Sequence, residues 1–87
     1  MSSSATAAAW AAPDLSATER LVLLALAEGA APDTSGIYVD LAKLASLTGV
    51  GRRTVAAAVA KLIADEHLVE VAPAARGLPA EYGITLR

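Results

Sequence analysis

Cysteine, phenylalanine, asparagine and glutamine are all missing from these 87 residues. Without cysteine there is neither a disulfide nor a thiolate zinc site. His67 is the only histidine, so any bound metal would rest on carboxylates. Aromatic residues make up 3% of the chain, as Trp10, Tyr38 and Tyr82. The longest unbroken apolar run, Leu21 to Ala27, is seven residues, far below the ~20 of a membrane span. The first ten residues lack the basic start and apolar block of a signal peptide, which makes a cytoplasmic location the expectation. No spacing of Ser, His, Asp or Glu forms a catalytic set, so no enzyme, metal, cofactor or small-molecule substrate is expected.

What is present is alanine, at 22 positions, the strongest helix former. The length allows one domain. A chain of this size buries only ~60% of its unfolded surface. The net charge is −2, but its distribution is uneven. Residues 1–40 carry Arg20 against Asp14, Glu19, Glu28, Asp33 and Asp40. Residues 41–64 carry Lys43, Arg52, Arg53 and Lys61 and no acid. Residues 65–87 carry Arg76 and Arg87 against Asp65, Glu66, Glu70 and Glu81.

Residues 1–13 are rich in Ser and Ala without a periodic pattern and are expected to be a disordered lead, with Trp10 the one residue able to fold back. A domain is expected over 14–87. Ser16 with Glu19 three residues on is a capping-box pattern, so a first helix runs to about Glu28 and ends at Gly29. Its apolar residues, Leu21 to Leu26, lie on most sides, and such a helix must be covered on most sides. Either the lead covers it or a second subunit does. In the second case Trp10, Val22, Leu23 and Leu26 would form the dimer interface.

Residues 31–36 are turn-rich, and Ile37-Tyr38-Val39 favours strand. Asp40 caps a second helix, Leu41 to Leu47. Thr48 to Gly51 form a turn. A third helix runs from Arg52 to about Glu66, with Val55, Val59, Leu62 and Ile63 as its buried stripe. Two strands follow, Leu68 to Ala72 and Tyr82 to Leu86.

The spacing of Ala45, Gly49 and Val55 is that of a helix-turn-helix. A small residue lies where two helices cross, a glycine allows the turn, and a branched apolar residue plugs the second helix into the first. Leu44 and Val50 fall on the buried sides of the same unit. With the terminal hairpin this predicts an α+β, mainly α fold: a winged helix-turn-helix of three helices and a small antiparallel hairpin.

From Leu15 to Val71 the chain resembles the winged helix-turn-helix domains near the start of phage and plasmid replication initiators and in related bacterial regulators. The likeness rests on Leu15-Ser16, Arg20 to Ala27, Leu41-Ala42, Thr48-Gly49-Val50, Arg52-Arg53-Thr54-Val55, and Leu62 before Leu68-Val69. It implies double-stranded DNA as partner and a role in transcription regulation, replication or partition. The family often has glycine where His67 stands, which predicts a positive φ at that surface turn residue.

The basic block coincides with the helix-turn-helix. Arg52 and Arg53 stand in the first turn of the recognition helix, where arginine can pair with guanine O6 and N7. Asn and Gln, the readers of adenine, are absent, so the remaining base contacts are Thr54, Ala56 or Ala57 against a thymine methyl. Lys43, Thr48 and Lys61 suit phosphates, and Arg76 at the wing suits the minor groove or the backbone. So few cations make a small salt slope. A useful affinity then needs a homodimer, with half-sites roughly 34 Å apart, or a larger DNA-binding assembly. The competing reading is a winged-helix protein-interaction module that leaves DNA alone, with Ala56, Ala57 and Ala60 as a flat contact.

Overall fold

A computed structural model describes residues 3–30 and 36–85. The expected connection over 31–35 and the Leu86 end of the last strand lie outside the described residues. The elements are α1 (Ser3–Ala11), α2 (Ala17–Glu28), α3 (Leu41–Thr48), α4 (Arg52–Ala64), β1 (Leu68–Ala72) and β2 (Glu81–Ile84).

The capping box forms as expected. Glu19 N–H donates to Ser16 Oγ at 3.1 Å, and Ser16 N–H donates to Glu19 Oε1 at 3.0 Å. Two of the donors orphaned at a helix start are thereby satisfied. From this fixed start α2 buries Val22, Leu23, Leu26 and Ala27 and touches α1, α3 and α4.

Residues 1–13 were expected to be a disordered lead, and over its described part the structure differs. Residues 3–11 are helical and pack on α2, burying Ala5, Ala8, Ala9 and, just beyond the helix, Ala12. Alanine is the reason for both the helix and the misreading. It favours helix and lets two backbones approach closely, yet a segment apolar on nearly every side shows no periodicity. Arg20 secures the join: its Nη1 donates to Ala9 O at 2.9 Å and to Trp10 O at 3.0 Å. These carbonyls belong to the last turn of α1, where a cation also suits the helix dipole.

The same packing removes the proposed dimer interface. Val22 and Leu23 are fully buried and Leu26 nearly so within a single chain. Of the four residues assigned to it, Trp10 alone remains exposed, at 63%.

Asp40 caps α3 by accepting from Lys43 N–H at 3.1 Å. Gly49 ends it in the left-handed region, φ 74°, with its N–H bonded to Ala45 O. Beyond the turn, α4 buries Val55, Ala58, Val59 and Leu62. Ile63, expected in this stripe, is 39% exposed; the buried row runs through Ala58 instead, which turns Ile63 to the flank.

α4 ends two residues before the expected Glu66, and the shift has a consequence. Glu66 N–H donates to Ile63 O at 3.1 Å and His67 N–H to Leu62 O at 2.9 Å. This is the Schellman pattern, which needs a left-handed residue right after the C-cap. The C-cap is Asp65, so the positive φ, 61°, falls on Glu66 rather than on His67. His67 is then the residue at which the chain turns inward. It is buried, 6% exposed, and not the surface residue expected.

β1 and β2 pair antiparallel, Leu68 with Ile84, Val69 with Gly83 and Glu70 with Tyr82, before a bulge brings Ala72 opposite Glu81. Ile37 extends the sheet by one residue, exchanging two backbone hydrogen bonds with Tyr82 at 2.9 and 2.8 Å. Helix, bridge strand, helix-turn-helix and hairpin, in that order, make this a winged helix-turn-helix with an added N-terminal helix.

Two changes probe these joins. Glu66→Gly relieves a left-handed non-glycine residue and should stabilise the fold by about 1 kcal/mol, raising Tm by roughly 4–8 °C in thermal unfolding followed by circular dichroism. Arg20→Met should cost about 1–2 kcal/mol and speed amide exchange in residues 3–11 well before that in α2 and α4.

Candidate nucleic-acid interface

The turn of the helix-turn-helix is built from three neighbours. Thr48 Oγ1 donates to Leu44 O at 2.8 Å and accepts from Val50 N–H at 3.2 Å. Its single proton is therefore spent inside the turn. A phosphate only accepts hydrogen bonds, so Thr48, expected as a phosphate contact, serves here to set the angle between α3 and α4. Val50 and Ala45 pack against the core, and Leu44 and Val55 are within it.

α4 then begins at Gly51, and nothing caps it. The N-cap glycine has no side chain to accept from the first turn, while serine, aspartate or asparagine commonly stands at such a position. The backbone does not call for glycine: φ is −59° and ψ 145°, and a Cβ there would meet nothing within 4 Å. The first turn thus presents amide donors outward, at the positive end of the helix dipole. Arg52, Arg53 and Thr54 in that turn are all exposed, and no acid occurs in α4. Two cations at the positive end of an uncapped helix work against the helix itself.

Along the outer side of α4 the row Arg53, Ala57, Ala60, Ala64 is exposed, one arginine followed by a smooth surface. Ala56 is half-buried at its edge. On one flank the N-terminal turn of α2 forms a shallow groove of about 250 Å³ with α4, lined by Thr18, Glu19, Thr54, Ala57 and Lys61 among others. Lys61 is not a free cation in this groove. Its Nζ lies 2.9 Å from Asp65 Oδ2, an exposed pair one turn apart. Hydrogen bonding to that carboxylate raises the ammonium pKa, and the same bond lowers that of Asp65, so both stay charged near neutrality.

The remaining assigned cations lie elsewhere. Lys43 lines a different cleft, between α2 and α3, with Glu28, Tyr38, Asp40 and Leu47. Arg76 is exposed in the turn of the hairpin. The nine residues assigned to DNA are therefore one compact set, Arg52, Arg53, Thr54 and Ala57, with Ala56 and Lys61 at its margins, Thr48 turned inward, and Lys43 and Arg76 apart. Sequence reasoning passed over Gly51. The signal was present, a glycine at an N-cap directly before two arginines.

A family model described as a helix-turn-helix domain matches residues 14–68. The chain belongs to that family. The match spans α2 to the first residue of β1, and so holds the whole helix-turn-helix and the capping box that orients it. Comparison with curated proteins and with solved structures finds no match. Among the described residues of this helix-turn-helix protein no helix is long and apolar enough to cross a membrane.

If the fold has no use for glycine at the N-cap, Gly51→Asp should be tolerated and should raise stability by about 0.5–1 kcal/mol through capping and the dipole. Chemical denaturation gives the value; a loss of stability would show that the glycine is structural.

Proposed function

We propose that this chain binds double-stranded DNA with α4 as the recognition helix, the first turn of that helix being the centre of contact. One observation carries the reading. An uncapped helix start bearing two exposed guanidiniums destabilises the free protein, and a polyanion converts each of its components into a favourable contact. Backbone amides and Arg52 or Arg53 suit phosphate oxygens, and arginine also suits guanine edges. The absent glycine side chain at position 51 leaves room for a sugar–phosphate strand to approach the backbone.

The smooth row Ala57, Ala60, Ala64 lets the helix lie deep in the major groove but offers no hydrogen bonds. Sequence preference on this reading is narrow: G·C pairs under the start of α4 and tolerance beyond. Thr54, Ala56 and Ala57 remain the contacts for thymine methyls. Lys61 contributes weakly, because its charge is shared with Asp65, and Lys43 and Arg76 act at the edges of the footprint. With this few cations one copy binds weakly at physiological salt. A two-fold arrangement with half-sites roughly 34 Å apart, or membership of a larger assembly, supplies the remainder, and any pairing surface lies outside the buried Val22, Leu23 and Leu26. The role we infer is that of a small cytoplasmic regulator of transcription, or an accessory to replication or partition, of the bacterial, phage or plasmid kind that its sequence resembles, rather than an enzyme.

The same alanine row favours a second reading, a contact with a partner protein in place of DNA, helped by the acidic pI of 5.2. A fluorescence anisotropy titration with mixed-sequence duplex at low salt separates the two. Arg52→Glu with Arg53→Glu should abolish DNA binding, and Gly51→Asp should lower affinity by roughly tenfold, the loss of one charge-assisted contact, while raising stability. A folded wild-type protein that ignores DNA at tens of micromolar ends the first reading and leaves the second.

A further inference from the structure

Residues 69–79 form an arm exposed along its whole length. Only the root is held, by buried Leu68 and by Tyr82 and Ile84 packing against the core. A two-stranded hairpin on its own is marginal in water, so such an arm gains from a surface to lie on. Its chemistry indicates which. From Val71 to Ala80 there is one cation, Arg76, and no acid.

The tip is firm. Ala75 N–H donates to Leu78 O at 3.0 Å and Leu78 N–H to Ala75 O at 2.8 Å. Gly77 has φ 79°, the sign a type II turn requires at its third residue, and Pro79 follows at once. Two residues after Arg76, closing the same turn, stands Leu78, 66% exposed, the most exposed large apolar side chain among the described residues. A limb of about six residues at ~3.3 Å each reaches roughly 20 Å. The centres of a major groove and the adjacent minor groove are half a helical turn apart, ~17 Å. The arm is thus long enough to meet the minor groove while α4 occupies the major groove.

With Arg76 at the minor groove, as the wing reading already has it, we propose that Leu78 is a wedge that inserts between two base pairs and bends the duplex. This rests on the DNA-binding reading above and adds a specificity to it. Arginine is drawn by the negative potential of the groove, and an apolar side chain that leaves water for a base step is rewarded where unstacking is easiest. The step under Leu78 is accordingly a pyrimidine–purine step, TA or CA.

The test uses the full chain and a duplex of about 30 bp carrying donor and acceptor dyes at its ends, with G·C pairs followed by TA steps. Anisotropy reports binding and energy transfer reports bending. The wild type should raise energy transfer on binding. Leu78→Ala, a change outside the core, should keep binding within about tenfold and lose most of that rise. A wild type that binds without a rise overturns the wedge alone, as does a Leu78→Ala protein that bends DNA equally well. A Leu78→Ala protein that sediments at lower mass without DNA makes the tip a contact between copies and likewise overturns it. A folded protein that binds no duplex overturns the wedge together with the DNA-binding reading.

Discussion

Burial of α2 on three sides is the constraint from which the other elements take their places. Val22, Leu23, Leu26 and Ala27 fill the centre, and α1, α3 and α4 each pack on this one helix. The capping box at Ser16 and Glu19 sets where α2 starts, and hence the height at which α4 crosses it. The outward face of α4 follows from what α4 must bury: once Val55, Ala58, Val59 and Leu62 face α2 and α3, Arg53, Ala57 and Ala60 have no choice but to face water. Hydrophobic burial thus decides the direction of a polar surface it does not touch.

The free-energy balance along the chain is uneven in a way that sets the start of α4, the candidate site, apart from the other helices. α2 and α3 have side-chain caps, and α1 has the Arg20 guanidinium over its last carbonyls. α4 has none at its start and carries like charges there. Local rules broken without a compensating gain in the free protein are the places where the proposed contact with DNA would supply the compensation. The strained Glu66 is a different case, since it lies on the far end of α4 and its cost is repaid by the inward turn that buries His67 and Leu68.

Where one residue type has one role, the sequence was legible. Ser16, Asp40 and Gly49 announced caps and turns, and the structure has them at those positions. The two strands of the hairpin followed from alternation, though their register and bulge did not, and the buried residues of the helix-turn-helix followed from their spacing. Legibility failed where alanine dominates. In residues 3–11 small side chains pack on every side, so periodicity carried no information and a helix read as disorder. It failed also by two residues at the end of α4, enough to move the left-handed position from His67 to Glu66 and to turn a surface histidine into a buried one. For the site, the clustering of Arg52, Arg53 and Thr54 was readable, whereas the inward bonding of Thr48, the pairing of Lys61 with Asp65 and the separation of Lys43 depend on side-chain directions that spacing does not specify.

The single-residue bridge at Ile37 ties parts of the molecule that are distant in the chain. Ile37 is hydrogen-bonded to Tyr82 on both backbone groups, Tyr38 donates its hydroxyl to Glu81 at 3.0 Å, and Asp40, two residues further, starts α3. The pivot of the hairpin and the first turn of α3 are therefore clamped in a common frame. A load applied at the hairpin is delivered to the helix pair as torque through three residues of extended backbone, with no slack segment between them to absorb it.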